Sequence, residues 1–270
     1  MKIALIYFSA TGVTEEYAKL MAHKLEKRGN KTRIVNILIP ENRSKIIFIE
    51  FDAFIFGFPV FDARLPTVAE DWLQTINVRQ KRCSMFFTYG ARALELAHQV
   101  GYHLLREAGF EVVLSAEFLG RHSFNVAEGW SLAEDRPNAE DRQTAKEFAE
   151  KSFERFMSSK VDWNYELEDF TYQKQEHGVV TGLFSIFYPL REEKECSMCK
   201  QCEEECPAKA FDATTGVTDK ELCILCMHCV YICPDGVIEV GDATELYQKF
   251  KKHHKLTDEV VMNKKSKIIY

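Results

Sequence analysis

The chain has 270 residues, of which 46% are hydrophobic and 28% charged, so it can bury packed cores and is not disordered as a whole. The net charge of −6 is uneven: residues 191–242 hold five Lys or Arg and twelve Asp or Glu, giving −7, whereas residues 243–270 hold seven Lys and three acids, giving +4. Because this tail is the only basic block, we expect no nucleic acid among the partners.

Targeting signals are not expected either. Residues 1–7 read directly as a buried strand, without the basic start and cleavable apolar stretch of a signal peptide. The longest late apolar run, residues 179–190, is too short to span a bilayer and contains Pro189. We therefore expect a cytoplasmic protein with no membrane span, in which clustered cysteines stay reduced and act as metal ligands.

Predicted strands and helices alternate along residues 1–157, with a short or irregular second helix expected in residues 40–51. The strands are Lys2–Phe8, Lys31–Leu38, Ala53–Phe58, Ser84–Tyr89 and Val112–Leu119, and the main helices are Glu15–Lys27, Thr67–Ile76, Ala91–Ala108 and Ala139–Met157. This order predicts an α/β fold with a doubly wound, five-stranded parallel sheet. Ligands of such sheets bind beyond the carboxyl ends of the strands.

The loop over residues 9–14 follows the first predicted strand and leads into a helix. It lacks the glycine spacing of a dinucleotide site and the Gly-Lys-Ser/Thr of a nucleotide-binding P-loop. It offers three hydroxyl groups and one glycine at a helix N-terminus, which suits a phosphate monoester. A plain helix-capping cluster is the alternative interpretation.

Residues 5–20, Leu-Ile-Tyr-Phe-Ser-Ala-Thr-Gly-Val-Thr-Glu-Glu-Tyr-Ala-Lys-Leu, resemble the flavodoxin signature. The resemblance covers residues 1–157 in element order and implies FMN as a cofactor. The implied contacts lie in three loops: Ser9, Ala10, Thr11, Gly12, Val13 and Thr14; Pro59, Val60 and Phe61; and Thr88, Tyr89, Gly90 and Ala91. For the aromatic rings of Phe61 and Tyr89, packing in the core is the alternative.

Other residues near these loops have open roles. Arg64 and Arg92 follow the second and third loops, and we expect a solvated face, with an acidic segment or an anionic substrate as alternatives. Residues 120–137 form a long irregular stretch typical of a lid or docking surface. His122 within it is expected to be structural, with proton donation as the alternative.

Eight cysteines fall into two runs with the spacing C-x2-C-x2-C-x3-C-P. The runs are Cys196, Cys199, Cys202 and Cys206, and Cys223, Cys226, Cys229 and Cys233. Three cysteines at this spacing wrap a corner of a cuboidal 4Fe–4S cluster, which needs four thiolates. Zinc and disulfides are the alternatives, but zinc sites ordinarily use two C-x2-C pairs. Cys83 stands alone in an apolar run and is expected to be a buried core residue.

Residues 190–242 resemble bacterial two-cluster ferredoxins, in which the fourth cysteine of each run ligates the other cluster. The resemblance implies a first cluster on Cys196, Cys199, Cys202 and Cys233, and a second on Cys223, Cys226, Cys229 and Cys206. It also implies a small α+β fold and low-potential, one-electron transfer.

The whole arrangement resembles the flavodoxin–ferredoxin fusion family of anaerobic bacteria and archaea. We predict a flavodoxin-like FMN domain at 1–157, a packed connector at 158–190, a two-cluster 4Fe–4S domain at 191–242 and a basic helical tail at 243–270. The expected function is an electron carrier that relays electrons between two 4Fe–4S clusters and FMN, with redox proteins as partners. The alternative is an FMN- and iron–sulfur-dependent oxidoreductase that reduces a small-molecule substrate.

Overall fold

A computed structural model describes residues 1–160, 170–175 and 179–269 of the chain, and its largest unit is a six-stranded sheet. Strands are β1 (Lys2–Tyr7), β2 (Lys31–Asn36), β3 (Ala53–Pro59), β4 (Lys81–Tyr89), β5 (Phe110–Leu119), β6 (Phe211–Asp212), β7 (Val217–Thr218) and β8 (Lys267–Ile269). Helices are α1 (Val13–Lys27), α2 (Pro40–Arg43), α3 (Thr67–Gln74), α4 (Ala97–Glu107), α5 (Ala139–Met157), α6 (Gln201–Glu204), α7 (His228–Ile232), α8 (Thr244–His253) and α9 (Asp258–Asn263).

The large sheet has the order β2-β1-β3-β4-β5-β8, and its first five strands are parallel. The order 2-1-3-4-5 is that of flavodoxin-like doubly wound sheets, so the predicted α/β fold is confirmed. Alternate residues of the strands face opposite layers of helices. Ile3 and Leu5 pack toward α1 and α5, whereas Ala4 and Ile6 pack toward α3 and α4.

Helix α4 is shorter than the sequence predicted. The expected helix began at Ala91, but residues 91–96 form turns and the helix begins at Ala97. Ala91 has φ of 61° and Glu95 has φ of 45°, and neither value is compatible with an α-helix. The prediction was wrong here because helix-forming residue types do not reveal a left-handed backbone imposed by neighbouring loops.

The tail returns to the large sheet, which the sequence did not predict. Strand β8 pairs antiparallel with β5 and becomes its edge. The Ser266 hydroxyl donates to Asp141 and accepts from the Leu119 amide, while Arg136 donates to the carbonyls of Met262 and Lys264. The basic tail is therefore partly a structural element of the first domain.

The cysteine-rich segment is a small two-stranded unit with two short helices. Its β6–β7 hairpin is antiparallel, and Leu190 and Glu239 exchange two backbone hydrogen bonds that join its ends. Lys200 before α6 and Met227 before α7 both have left-handed backbones, with φ of 61° and 64°. The 27-residue offset between the two cysteine runs is thus also a repeat of backbone geometry.

The described part of the connector packs on α3 and α4. The Tyr172 hydroxyl donates to Glu70 at 3.1 Å, and the His103 ring stacks on the Tyr172 ring with centroids 5.0 Å apart. Phe170 packs against the apolar core on the same side of the sheet. Trp163 and Tyr165, which were also expected to pack, lie outside the described residues. Within the described ranges, no helix is long and apolar enough to cross a membrane.

Candidate functional site

A cleft lies at the carboxyl ends of the parallel strands, where three predicted loops meet. Its empty volume is about 430 Å³, part of it open to solvent, within the range of about 300–1,000 Å³ usual for ligand sites. Eleven of the thirteen residues expected to contact the cofactor line it: Ser9, Ala10, Thr11, Val13, Thr14, Pro59, Val60, Phe61, Thr88, Tyr89 and Gly90. Gly12 and Ala91 do not line the cleft, and Ala91 is fully buried beneath its loop.

The 9–14 loop is built to present backbone amides. Gly12 precedes α1 with φ of 84°, a conformation that glycine adopts without strain. The amides of Thr11, Gly12, Val13 and Thr14 have no acceptor among the described residues. Four free amides at the positive end of a helix fit an anion such as a phosphate.

The hydroxyls of the loop are partly committed to the protein. The Ser9 hydroxyl accepts from the Glu15 amide at 3.2 Å, and the hydroxyls of Thr14 and Thr88 lie 2.8 Å apart. The Thr14–Thr88 pair joins the first and third loops beneath the cleft. Backbone amides are therefore the main donors that the 9–14 loop offers, and the hydroxyls mainly hold its shape.

The two candidate aromatic residues both line the cleft and also pack against protein. The Phe61 ring meets Phe8 edge to face with centroids 6.1 Å apart. The Tyr89 ring packs near Val261 of α9, and the Lys264 ammonium lies 5.9 Å from its centroid. Each ring is half-buried, so each leaves part of its surface to the cleft.

Four residues that were not among the expected contacts complete the cleft: Gly120, Arg121, His122 and Ser123, which follow β5. Burial, helped by the charge of Arg92, lowers the pKa of His122 to about 4, and its Nδ1 accepts from the Phe124 amide at 3.1 Å. His122 is therefore neutral near pH 7 and held by packing, in keeping with a structural role. The position of these residues after the fifth strand was the sequence signal that could have found them.

Arg64 does not face solvent as expected. Its guanidinium is buried and donates to both carboxylate oxygens of Glu70 at 2.6 Å, with a third hydrogen bond to the Gln173 carbonyl at 3.1 Å. The expectation was wrong because the connector covers this position, and burial makes a paired arginine favourable only with such partners. Arg92 remains at the surface and pairs with Glu95.

The second candidate site is a cavity in the cysteine-rich segment. Four cysteines line it, which we call the inner group: Cys206, Cys223, Cys226 and Cys229. Cys206 belongs to the first sequence run and the other three to the second, so the chain fold brings the two runs together. Burial raises the pKa of Cys223 to about 11 and raises the pKa of Cys226 and Cys229 as well.

The other four cysteines, Cys196, Cys199, Cys202 and Cys233, form what we call the outer group. Burial, and then the neighbouring Cys233 and Cys199 thiols, raise the pKa of Cys202 to about 11. Asp235 accepts from the amide and the hydroxyl of Ser197, each at 2.7 Å, which ties the two runs together. Within the described part of the chain, no three His, Cys, Asp or Glu side chains are grouped as ligands of a single metal ion.

Both groups carry the amide donors that thiolate clusters use. The Ala210 amide donates to the Cys206 sulfur at 3.2 Å, and the Met198 amide donates to the Cys196 sulfur at 3.4 Å. Hydrogen bonds to sulfur stabilise the thiolate form and tune cluster potentials. Four thiols around one cavity, with an amide on sulfur, fit a cuboidal iron–sulfur cluster.

The inner group touches the flavodoxin-like domain directly. Cys226 is 8% exposed and belongs to the same apolar cluster as Phe8 and Phe58. The His228 Nδ1 lies 2.8 Å from the carbonyl oxygen of Ala10, and Arg43 donates to the carbonyl of Pro207 at 3.2 Å. The cysteine cavity and the cleft are therefore neighbours, joined through the 9–14 loop.

Comparison with known proteins agrees with both parts. Residues 188–248 match the 4Fe-4S dicluster domain family. Over 47 residues the chain is 47% identical to a subunit of the ion-translocating oxidoreductase complex of Methanosarcina acetivorans, which is 17% of this chain and 18% of that protein. The chain thus spans less than a fifth of that relative's length.

Among solved structures, a flavodoxin from the domain Archaea is similar, with 17% identity and a TM-score of 0.45 over 58% of this chain and 100% of the other. Flavodoxin 2 from Bacillus cereus gives 23% identity and a TM-score of 0.46 over 57% and 99%. The strand order and the matched domain make this chain a flavodoxin-like domain fused to a 4Fe–4S dicluster domain.

Proposed function

We propose that this protein transfers electrons between FMN held in the cleft and two 4Fe–4S clusters held by the inner and outer cysteine groups. When bound, FMN exchanges one or two electrons and each cluster exchanges one. The 9–14 loop would hold the phosphate with its free amides, and the loops at 59–61 and 88–90 would flank the ring. Each cysteine group would supply four thiolates.

One observation carries the proposal: the inner group lies directly against the loop that forms the cleft. His228 precedes Cys229 in α7, and its ring reaches the Ala10 carbonyl at 2.8 Å and the Glu205 carboxylate at 3.2 Å. The ring is buried, with 6% of its surface exposed. This contact joins the two candidate cofactor sites without intervening solvent, as intramolecular transfer requires.

The two groups differ in their access to partners. In the outer group, Cys199 and the adjacent Met198 are exposed, whereas the inner group is covered by the sheet domain. A redox partner protein would therefore meet the outer group, and the inner group would stand between it and the cleft. Reduced thiols in both groups are consistent with a cytoplasmic location.

The test is anaerobic stopped-flow reduction of the full chain, loaded with iron, sulfide and FMN, by reduced methyl viologen. Flavin and cluster absorbance are followed separately in the wild type and in Cys226→Ala and Cys199→Ala. We expect eight iron atoms and one FMN per wild-type chain. We also expect each variant to lose the fast phase of flavin reduction, because each interrupts the path at a different group.

Cys83→Ala is the matched control, because Cys83 is a fully buried cysteine of the sheet domain outside both runs. It should retain all the iron and the fast phase. Flavin reduction at the wild-type rate in both run variants would overturn the relay. About four iron atoms per wild-type chain would overturn the two-cluster assignment.

A further inference from the structure

We propose that Arg121 binds the phosphate of the flavin, so that this site selects FMN with a positive charge as well as with neutral amides. This inference rests on the proposed function, since it concerns the same cleft. Arg121 lines the cleft, immediately after β5. One of its terminal nitrogens, Nη2, lies 3.9 Å from the position that a β-carbon on Gly12 would occupy.

Two glycines allow this approach. A β-carbon on Gly120 would stand 2.2 Å from Val13 Cγ1, so only glycine lets the end of β5 pack this closely on the start of α1. At Gly12 the absent side chain leaves room for the Arg121 guanidinium and for Tyr231 of the cysteine-rich segment, whose hydroxyl would be 3.1 Å from a β-carbon there. The fold thus brings an arginine from position 121 to a loop that contains no basic residue.

The charge of Arg121 is not balanced by protein. Among the described residues its guanidinium has no hydrogen bond or ion pair, although its backbone amide donates to the Arg136 carbonyl. It stands beside the N-terminus of α1, which carries a partial positive charge, and beside four amides that lack acceptors. A cation held against a positive helix end is stabilised by an anion bound between them, and a phosphate monoester matches both the charge and the donors.

The test compares FMN with riboflavin, which has the same ring and no phosphate. Full-chain protein is stripped of flavin under anaerobic conditions with its iron retained, and flavin binding is followed by quenching of flavin fluorescence. R121Q should bind FMN about 10- to 100-fold more weakly, the factor expected for one hydrogen bond to a charged group. Its riboflavin affinity should equal that of the wild type, because riboflavin has no group for Arg121 to bind.

Two further measurements separate a charge effect from a folding effect. R121K keeps the charge and loses the two-pronged guanidinium, so its FMN affinity should lie between those of R121Q and the wild type. R92Q removes a surface arginine paired with Glu95 and outside the cleft lining, and should leave FMN affinity unchanged. Inorganic phosphate should compete with FMN in the wild type and compete less well in R121Q.

Unchanged FMN affinity in R121Q, or equal weakening of FMN and riboflavin, would overturn this inference and leave the proposed function intact. A wild-type chain that takes up no FMN would instead overturn the proposed function and this inference together.

Discussion

The inner and outer cysteine groups come from two copies of one sequence pattern, yet they occupy different environments. The cysteine spacing is the same in both runs, and the left-handed residues before α6 and α7 are related by the same 27-residue offset. The inner group is packed against the sheet domain, and the outer group faces solvent beside acidic residues. The repeat therefore determines what the groups can bind, and the docking of one of them onto the sheet determines their order.

The strongest test of this comparison is which cysteines act together. If the groups are as defined, Cys206→Ala should lose the same cluster signal as Cys223→Ala, and Cys233→Ala the same signal as Cys196→Ala. Iron analysis and electron paramagnetic resonance of the reduced proteins would show which cluster is lost. Cys83→Ala serves again as the control with full iron content. A shared signal loss in Cys206→Ala and Cys196→Ala would show that each run closes its own cluster.

The difference in exposure should appear as an order of iron loss. Cys199 is exposed, whereas Cys226 is 8% exposed within the core of the sheet domain. On treatment with an iron chelator and mild oxidant, we expect the outer group to lose its roughly four iron atoms first. The resonance of the remaining cluster identifies the group that survives. Simultaneous loss of both signals would mean that the sheet domain does not protect the inner group.

The contact between the inner group and the 9–14 loop should contribute measurably to stability. His228→Leu leaves the Ala10 carbonyl and the Glu205 carboxylate without this partner, and an unpaired buried polar group costs about 1–3 kcal/mol. Urea unfolding of the anaerobic protein measures the change, and FMN affinity should fall as the loop loosens. His228→Gln should restore part of it, and His253→Leu at an exposed histidine is the control. Equal stability of His228→Leu and the wild type would contradict the proposed contact.

A smaller effect should separate the two groups through packing alone. Cys226→Ala and Cys199→Ala each remove one ligand, but only Cys226 lies in the apolar cluster of the sheet domain. We expect unfolding of the sheet domain, followed by its circular dichroism, to be easier in Cys226→Ala by about 1 kcal/mol, the cost of deleting a small buried group. Equal unfolding curves in both variants would show that the sheet domain does not depend on the inner group.

Much of the first domain followed from the sequence, because buried strands and amphipathic helices repeat locally and are ended by local signals. Helix α5 has the predicted bounds, and its Asn138 cap and Asp141 form a reciprocal pair of hydrogen bonds at its start. The start of α4 was wrong because Ala91 has a left-handed backbone held by contacts outside its own segment. The edge strand β8 was missed because three residues at the end of a lysine-rich tail carry too little pattern to predict a strand.

The sequence by itself determined the two cysteine runs, the amide-rich loop at 9–14 and the alternation of strands and helices, since each depends on spacing within a short segment. The tertiary structure decided the pairing of Arg64 with Glu70, the approach of Arg121 to Gly12 and the choice of the inner group as the neighbour of the cleft. These contacts join distant positions, 218 residues apart for Ala10 and His228. No local pattern specifies them, because they form only when the cysteine-rich segment and the sheet domain bury apolar surface against each other.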